Sequence, residues 1–281
     1  MSVPRSAVAD AYARLTEALP GLAVTELSAG EPLPSGGDWV AAAALAEGGA
    51  ALETFVAWDD AQVVRDYGQR ARPDVVASFG LHRYAWPACL LVTVPWFTHR
   101  RVPRYPVTHV AYDRRAEGLP LGHLAVRPEG FACLPGDPAA ALPGARVVAD
   151  EEALRAEVRA AVAEHLEPVL TGFGPRMRRR GRALWGMATD EIVEGLWYVA
   201  HLLGEQERAR QELELLLPGA TRPYVGAAAF RELKGPDGKP LHTRDRASCC
   251  MFYTLRPEDT CATCPRTCEA DRVDKLLATA S

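Results

Sequence analysis

Five of the seven cysteines in this 281-residue chain fall between residues 249 and 268: Cys249, Cys250, Cys261, Cys264 and Cys268. The other two, Cys89 and Cys133, lie far apart in apolar surroundings. Clustering of this kind points to metal binding or redox chemistry rather than to a disulfide scaffold. The first four follow the pattern C-C-x10-C-x2-C. Four thiolates meet the requirement of a [2Fe–2S] cluster, in which each iron takes two cysteine sulfurs. The C-x2-C pair suits a tight loop whose sulfurs converge. The adjacent pair is harder, because successive side chains of an extended backbone point to opposite faces. Cys249 and Cys250 can share a centre only through unusual local backbone, and a two-iron group leaves more room for that than one small ion.

Other readings of the same residues stay open. A structural Zn(Cys)4 site is one, although a second C-x2-C knuckle is missing. Cys261, Cys264 and Cys268 form C-x2-C-x3-C, a fragment of a [4Fe–4S] run, but the remaining spacing does not match. A dithiol redox motif lacks a thioredoxin-like βαβ context. Cys268 reads as a thiol outside the ligand set.

The rest of the chain reads as a helix-rich α+β domain over residues 1–240, followed by a short irregular metal module over 241–281. Apolar residues recur at helical spacing over Val3–Leu19, and Asp38–Glu47, Asp59–Asp66 and Arg72–Leu81 also read as helices. Ser28–Gly37 and Gly136–Gly144 are Pro/Gly-rich loops. Cys89–Val94, Thr108–Tyr112 and His123–Val126 are short, apolar and β-branched, which predicts a small antiparallel sheet in the middle of the chain. Three helices follow. Asp150–Leu170 has Asp150 as its N-cap and Leu154, Val158, Val162, Leu166 and Leu170 four apart, with Pro168 a candidate kink or stop. Ala188–Leu203 and Glu205–Leu217 are the other two. Gly235–Pro240 is a turn.

With 32 basic against 36 acidic residues the net charge is −4, so no global positive field exists to hold nucleic acid. The apolar runs Val40–Ala46 and Ala85–Phe97 are shorter than the roughly 18 residues that cross a bilayer. Met1–Asp10 has no apolar signal region, and the expected location is the cytosol. One stretch runs against the overall charge: Arg176, Arg178, Arg179, Arg180 and Arg182, with Trp185 close by. It reads as a docking patch for an anionic ligand or an acidic protein, or as a solvated loop before a helix. His82, His99, His109 and His123 read as surface or satisfied core histidines, and Phe252 and Tyr253 as shields against water.

The segment Arg246-Ala-Ser-Cys-Cys-Met-Phe-Tyr, continuing to Cys261-Ala-Thr-Cys264-Pro, resembles the C-terminal signature of the FhuF family of ferric-siderophore reductases. That resemblance implies a [2Fe–2S] cluster held by Cys249, Cys250, Cys261 and Cys264. It implies a ferric siderophore as substrate, hydroxamate chelates among the types, and release of Fe(II) after one-electron reduction. No G-x-G-x-x-G fingerprint for a nicotinamide or flavin cofactor is present. The expected electron donor is therefore a separate protein, such as a ferredoxin or ferredoxin reductase. Two other functions fit the motif: a zinc-stabilised siderophore-binding protein without redox activity, and an electron-transfer module serving another enzyme.

Overall fold

A computed structural model describes residues 6–279 apart from 29, 220 and 259. The order begins with α1 (Ala9–Ala18), β1 (Leu22–Glu26), β2 (Trp39–Ala41), α2 (Ala42–Glu47), α3 (Ala50–Tyr67) and α4 (Pro73–His99). Five short strands follow: β3 (Arg101–Pro103), β4 (Val110–Asp113), β5 (Gly122–Val126), β6 (Phe131–Cys133) and β7 (Ala145–Val147). Then come α5 (Glu151–Met177), α6 (Gly181–Leu202), α7 (Gln206–Leu216), the hairpin β8 (Phe230–Lys234) and β9 (Pro240–Arg244), and α8 (Glu269–Thr279). The fold is helix-rich α+β.

Helix α4 is the centre of the core. It packs against α1, α3, α5 and α6. From Pro87 to Phe97 it is apolar and buried on every side, as expected of a helix segment with no solvent face. The run Cys89–Val94, expected as a strand, lies inside this helix and is wholly buried. A short β-branched run has no periodicity to separate a buried strand from a buried helix. Pro87 and Pro95 also sit inside α4, where each removes one backbone donor. Thr93 and Thr98 return their hydroxyls to the Cys89 and Val94 carbonyls at 3.0 and 2.8 Å. By length and composition α4 would suffice to cross a bilayer, contrary to the sequence expectation, but 78% of its apolar window is buried in the protein.

The sheets are mixed rather than purely antiparallel. The larger has the order β1-β5-β4-β2, and its β1–β5 pair is parallel. The smaller has the order β3-β6-β7, with β6 and β7 parallel. Part of the segment expected to be helical, Asp38–Glu47, supplies β2 before α2 begins. Helix α1 starts at Ala9, and residues 3–5 of the expected Val3–Leu19 helix lie outside the described residues.

Helix α5 begins as expected, with the Asp150 carboxylate accepting from the Ala153 amide at 2.8 Å. It continues through Pro168 and Pro175 to Met177. Its Gly172 lies under α2, where an added Cβ would stand 2.4 Å from the Leu45 carbonyl oxygen. Those neighbours are backbone and cannot rotate aside. Gly172→Ala should therefore lower stability by about 1–3 kcal/mol in urea unfolding, while Gly174→Ala, whose added methyl meets only the Leu184 side chain, should cost less.

Candidate metal centre

The hairpin β8–β9 delivers the chain to the cysteine segment, and a buried ionic cluster fixes it there. Asp190 of α6 and Arg244 of β9 are both fully buried and paired at 2.7 Å. Asp190 also accepts from the Ala247 amide at 2.9 Å, the Ser248 amide at 2.8 Å and the Ser248 hydroxyl at 2.6 Å. Every remaining lone-pair direction of this carboxylate is therefore used on the start of the cysteine segment. Gly186, one turn earlier on α6, permits the approach, since a Cβ there would meet the Ala247 carbonyl oxygen at 3.2 Å. Arg272 of α8 completes the frame, donating to the Arg244 and Cys264 carbonyls at 3.2 Å each and to Asp245 at 2.7 Å.

Two further contacts hold the adjacent cysteines. Arg179 donates to the Cys249 carbonyl at 2.6 Å, and Ser78 of α4 donates to the Cys250 carbonyl at 3.4 Å. Met251 then adopts a left-handed conformation, φ 66° and ψ 10°. That is uncommon for a residue with a Cβ, and it turns the chain immediately after the vicinal pair. The Met251 amide faces the Cys249 sulfur at 3.4 Å, and the Arg266 amide faces the Cys264 sulfur at 3.5 Å.

Cys249, Cys250, Cys261 and Cys264 all line one cavity of about 670 Å³. Its opposite wall is a single face of α4: Phe79, His82, Arg83, Trp86 and Pro87, at the three- and four-residue spacing of a helix. Glu194 and Tyr198 of α6 add to it. Phe252 packs against Tyr67 and Phe79, with ring centroids 5.7 and 6.3 Å apart. Tyr253 lies under the Arg266 guanidinium at 4.0 Å. Cys268 is not part of the lining. It is exposed, and its sulfur accepts from the Asp271 amide at 3.5 Å, at the start of α8.

The donor set is chemically suited to a thiolate-held iron–sulfur group: four thiols on one cavity, three of them facing backbone N–H groups. Among the described residues, no group of three or more His, Cys, Asp or Glu side chains stands close enough to hold a single metal ion. A group held by all four cysteines would draw them inward. Burial pushes the Cys250 thiol above its ordinary pKa, against which the Phe252 amide and the Arg246 charge work. Burial likewise opposes the Arg246 charge, but Asp190, Glu194 and Glu191 outweigh it and raise its pKa.

Residues 246–266 match the FhuF 2Fe-2S C-terminal domain. The match supports an FhuF-family assignment and spans all four cysteines of the cavity. No curated protein shows a significant match to the chain.

The structure separates the arginine stretch from the cysteine cavity. Arg178, Arg179, Arg180 and Trp185 border a different hollow, and Arg179 is hydrogen-bonded to the cysteine segment. Arg176 pairs with Glu53 at 2.7 Å. Arg182 is exposed. Trp185 packs edge-on against Tyr224 at 5.4 Å.

The sequence reading missed His82, which is not a bland histidine. Its ring is half exposed on the cavity, and its Nδ1 sits 2.7 Å from the buried Glu191 carboxylate. The Glu191 charge raises the His82 pKa above 6.5; burial and the charges of Arg246 and Arg83 oppose it. The available signal was Asp190-Glu191, two adjacent carboxylates at positions flanked by the apolar run of a helix.

Two outcomes follow from these contacts. Asp190→Ala leaves Arg244 buried without its main partner and should cost about 3–5 kcal/mol in chemical denaturation. It should also open residues 246–266 to limited proteolysis before global unfolding. In an NMR titration His82 should lose its proton above pH 6.5, and Glu191→Gln should lower that midpoint. Since the folded pKa is the raised one, the pair's stabilisation is complete below about pH 6.5 and fades as pH climbs through the folded value.

Proposed function

We propose that this chain is a cytosolic ferric-siderophore reductase, with a [2Fe–2S] cluster held by Cys249, Cys250, Cys261 and Cys264. The observation that carries the reading is the placement of all four cysteines of the FhuF-type segment on one aromatic-walled cavity. When bound there, such a cluster supplies single electrons at low potential. The substrate is Fe(III) wrapped in hard oxygen ligands. Gain of one electron makes it Fe(II), which the same oxygens hold less tightly.

The chain's own side chains have separable tasks. Trp86, Tyr198, Phe252 and Tyr253 offer apolar surface to the organic frame of a chelate. Phe252, wedged between Tyr67 and Phe79, keeps water from the side of the cavity next to Cys250. Arg246 and the His82–Glu191 pair place positive charge and a held proton, at His82 Nδ1, on the wall. Asp190, Arg244 and Arg272 keep the cysteine segment seated on the helices. The electrons come from a separate carrier, a ferredoxin or ferredoxin reductase.

Anaerobically purified protein should contain two irons and two sulfides per chain, in line with a four-cysteine [2Fe–2S] site. It should show a one-spin EPR signal after dithionite reduction and reduce ferric hydroxamates. Cys250→Ser should abolish or strongly perturb that signal. One zinc and no sulfide, from cells well supplied with iron, would replace this reading with a zinc-stabilised binding protein. An intact cluster that reduces no ferric chelate would leave an electron-transfer module.

A further inference from the structure

The arginine stretch forms the turn between α5 and α6. Arg178 closes α5 in a left-handed conformation. Arg180 precedes the first turn of α6, which has neither an acidic residue nor a side-chain cap. Arg178, Arg179 and Arg180 line a hollow of about 480 Å³ that shares no residue with the cysteine cavity. Arg178, Arg180 and Arg182 are exposed, and among the described residues none of the three has an ion-pair partner within 4.0 Å. The nearby acids do not neutralise them: Glu167 is a single charge on the rim, and Asp74 is engaged by Arg72 at 2.7 Å. In a chain of net charge −4, this cluster of unpaired arginines is a local positive surface that attracts an acidic protein.

Arg179 is different from its neighbours. Its guanidinium donates to the Cys249 carbonyl at 2.6 Å. The basic surface is thereby joined to the backbone of a cysteine on the cavity without passing through the cavity itself. A chelate bound at this hollow would lie outside the cysteine lining; a protein bound there would leave the cavity free for a chelate.

We propose that Arg178, Arg180 and Arg182 form the docking face for an acidic one-electron carrier protein, and that Arg179 ties this face to Cys249. The inference rests on the reductase reading and adds where the electron enters. In the step served, the reduced carrier gives up one electron and this chain gains one, with no proton or bond exchanged.

The test uses the full-length, cluster-loaded chain and a reduced acidic plant-type [2Fe–2S] ferredoxin as the probe. In the triple variant Arg178→Gln, Arg180→Gln and Arg182→Gln, ferredoxin affinity at low salt should fall about tenfold or more, and the salt dependence of binding should flatten. Ferredoxin-driven electron transfer should fall with it, while the KM for a ferric hydroxamate in dithionite-driven reduction should hold. Unchanged ferredoxin binding in the variant, or no low-salt binding by the wild type, overturns the proposal. So does a raised KM for the chelate under dithionite, which would make the patch a substrate site. A wild-type chain that binds ferredoxin through these arginines but reduces no chelate supports the docking face and refutes the reductase reading instead.

Discussion

A carboxylate with no exposure to water sits where the helical body meets the cysteine segment. Asp190 accepts from Arg244, from two consecutive amides and from the Ser248 hydroxyl. Removing water from a carboxylate and a guanidinium costs several kcal/mol per ion, so the pair is tolerable only because each member is bonded on several sides. That cost is also the source of its specificity. Any other register of residues 244–248 against α6 would strand one of the two charges. A segment with almost no regular secondary structure is thus given one position, and the cysteines that follow inherit it.

Helix α4 serves both the core and the cavity. Its middle and C-terminal half is buried on all sides, while Phe79, His82, Arg83 and Trp86 near its start turn one face toward the cysteines. The rigid wall of the cavity is therefore part of the most deeply packed element in the protein. The opposite wall is a loop held by discrete hydrogen bonds from Arg179, Ser78 and Arg272. Local opening falls on the loop side, where fewer apolar contacts have to be broken.

Legibility in the sequence followed the reach of the interactions involved. The N-cap of α5 and the four-residue spacing of Leu154, Val158, Val162 and Leu166 are local, and both are present as expected. The C-terminal motif was readable because its spacing is a short-range signal, and residues 246–266 match the family model. Cys89–Val94 was misread because burial on every side erases periodicity. The parallel pairing of β1 with β5 joins strands about a hundred residues apart, for which no local pattern exists. The wall of Phe79, His82, Arg83 and Trp86 became visible only once α4 was known to face the C-terminal segment. Arg246 stood inside the recognised motif, yet its partners Asp190 and Glu194 lie on α6, some fifty positions away.

The Arg272 side chain reaches back from α8 to carbonyls on both sides of the motif, those of Arg244 and Cys264. A fragment ending just after Cys264 would keep every cysteine of the pattern and lose the buried cation that clasps the loop shut. The folding unit of this site is therefore longer than its sequence signature: it begins at the hairpin and ends in a helix beyond the last cysteine of the pattern.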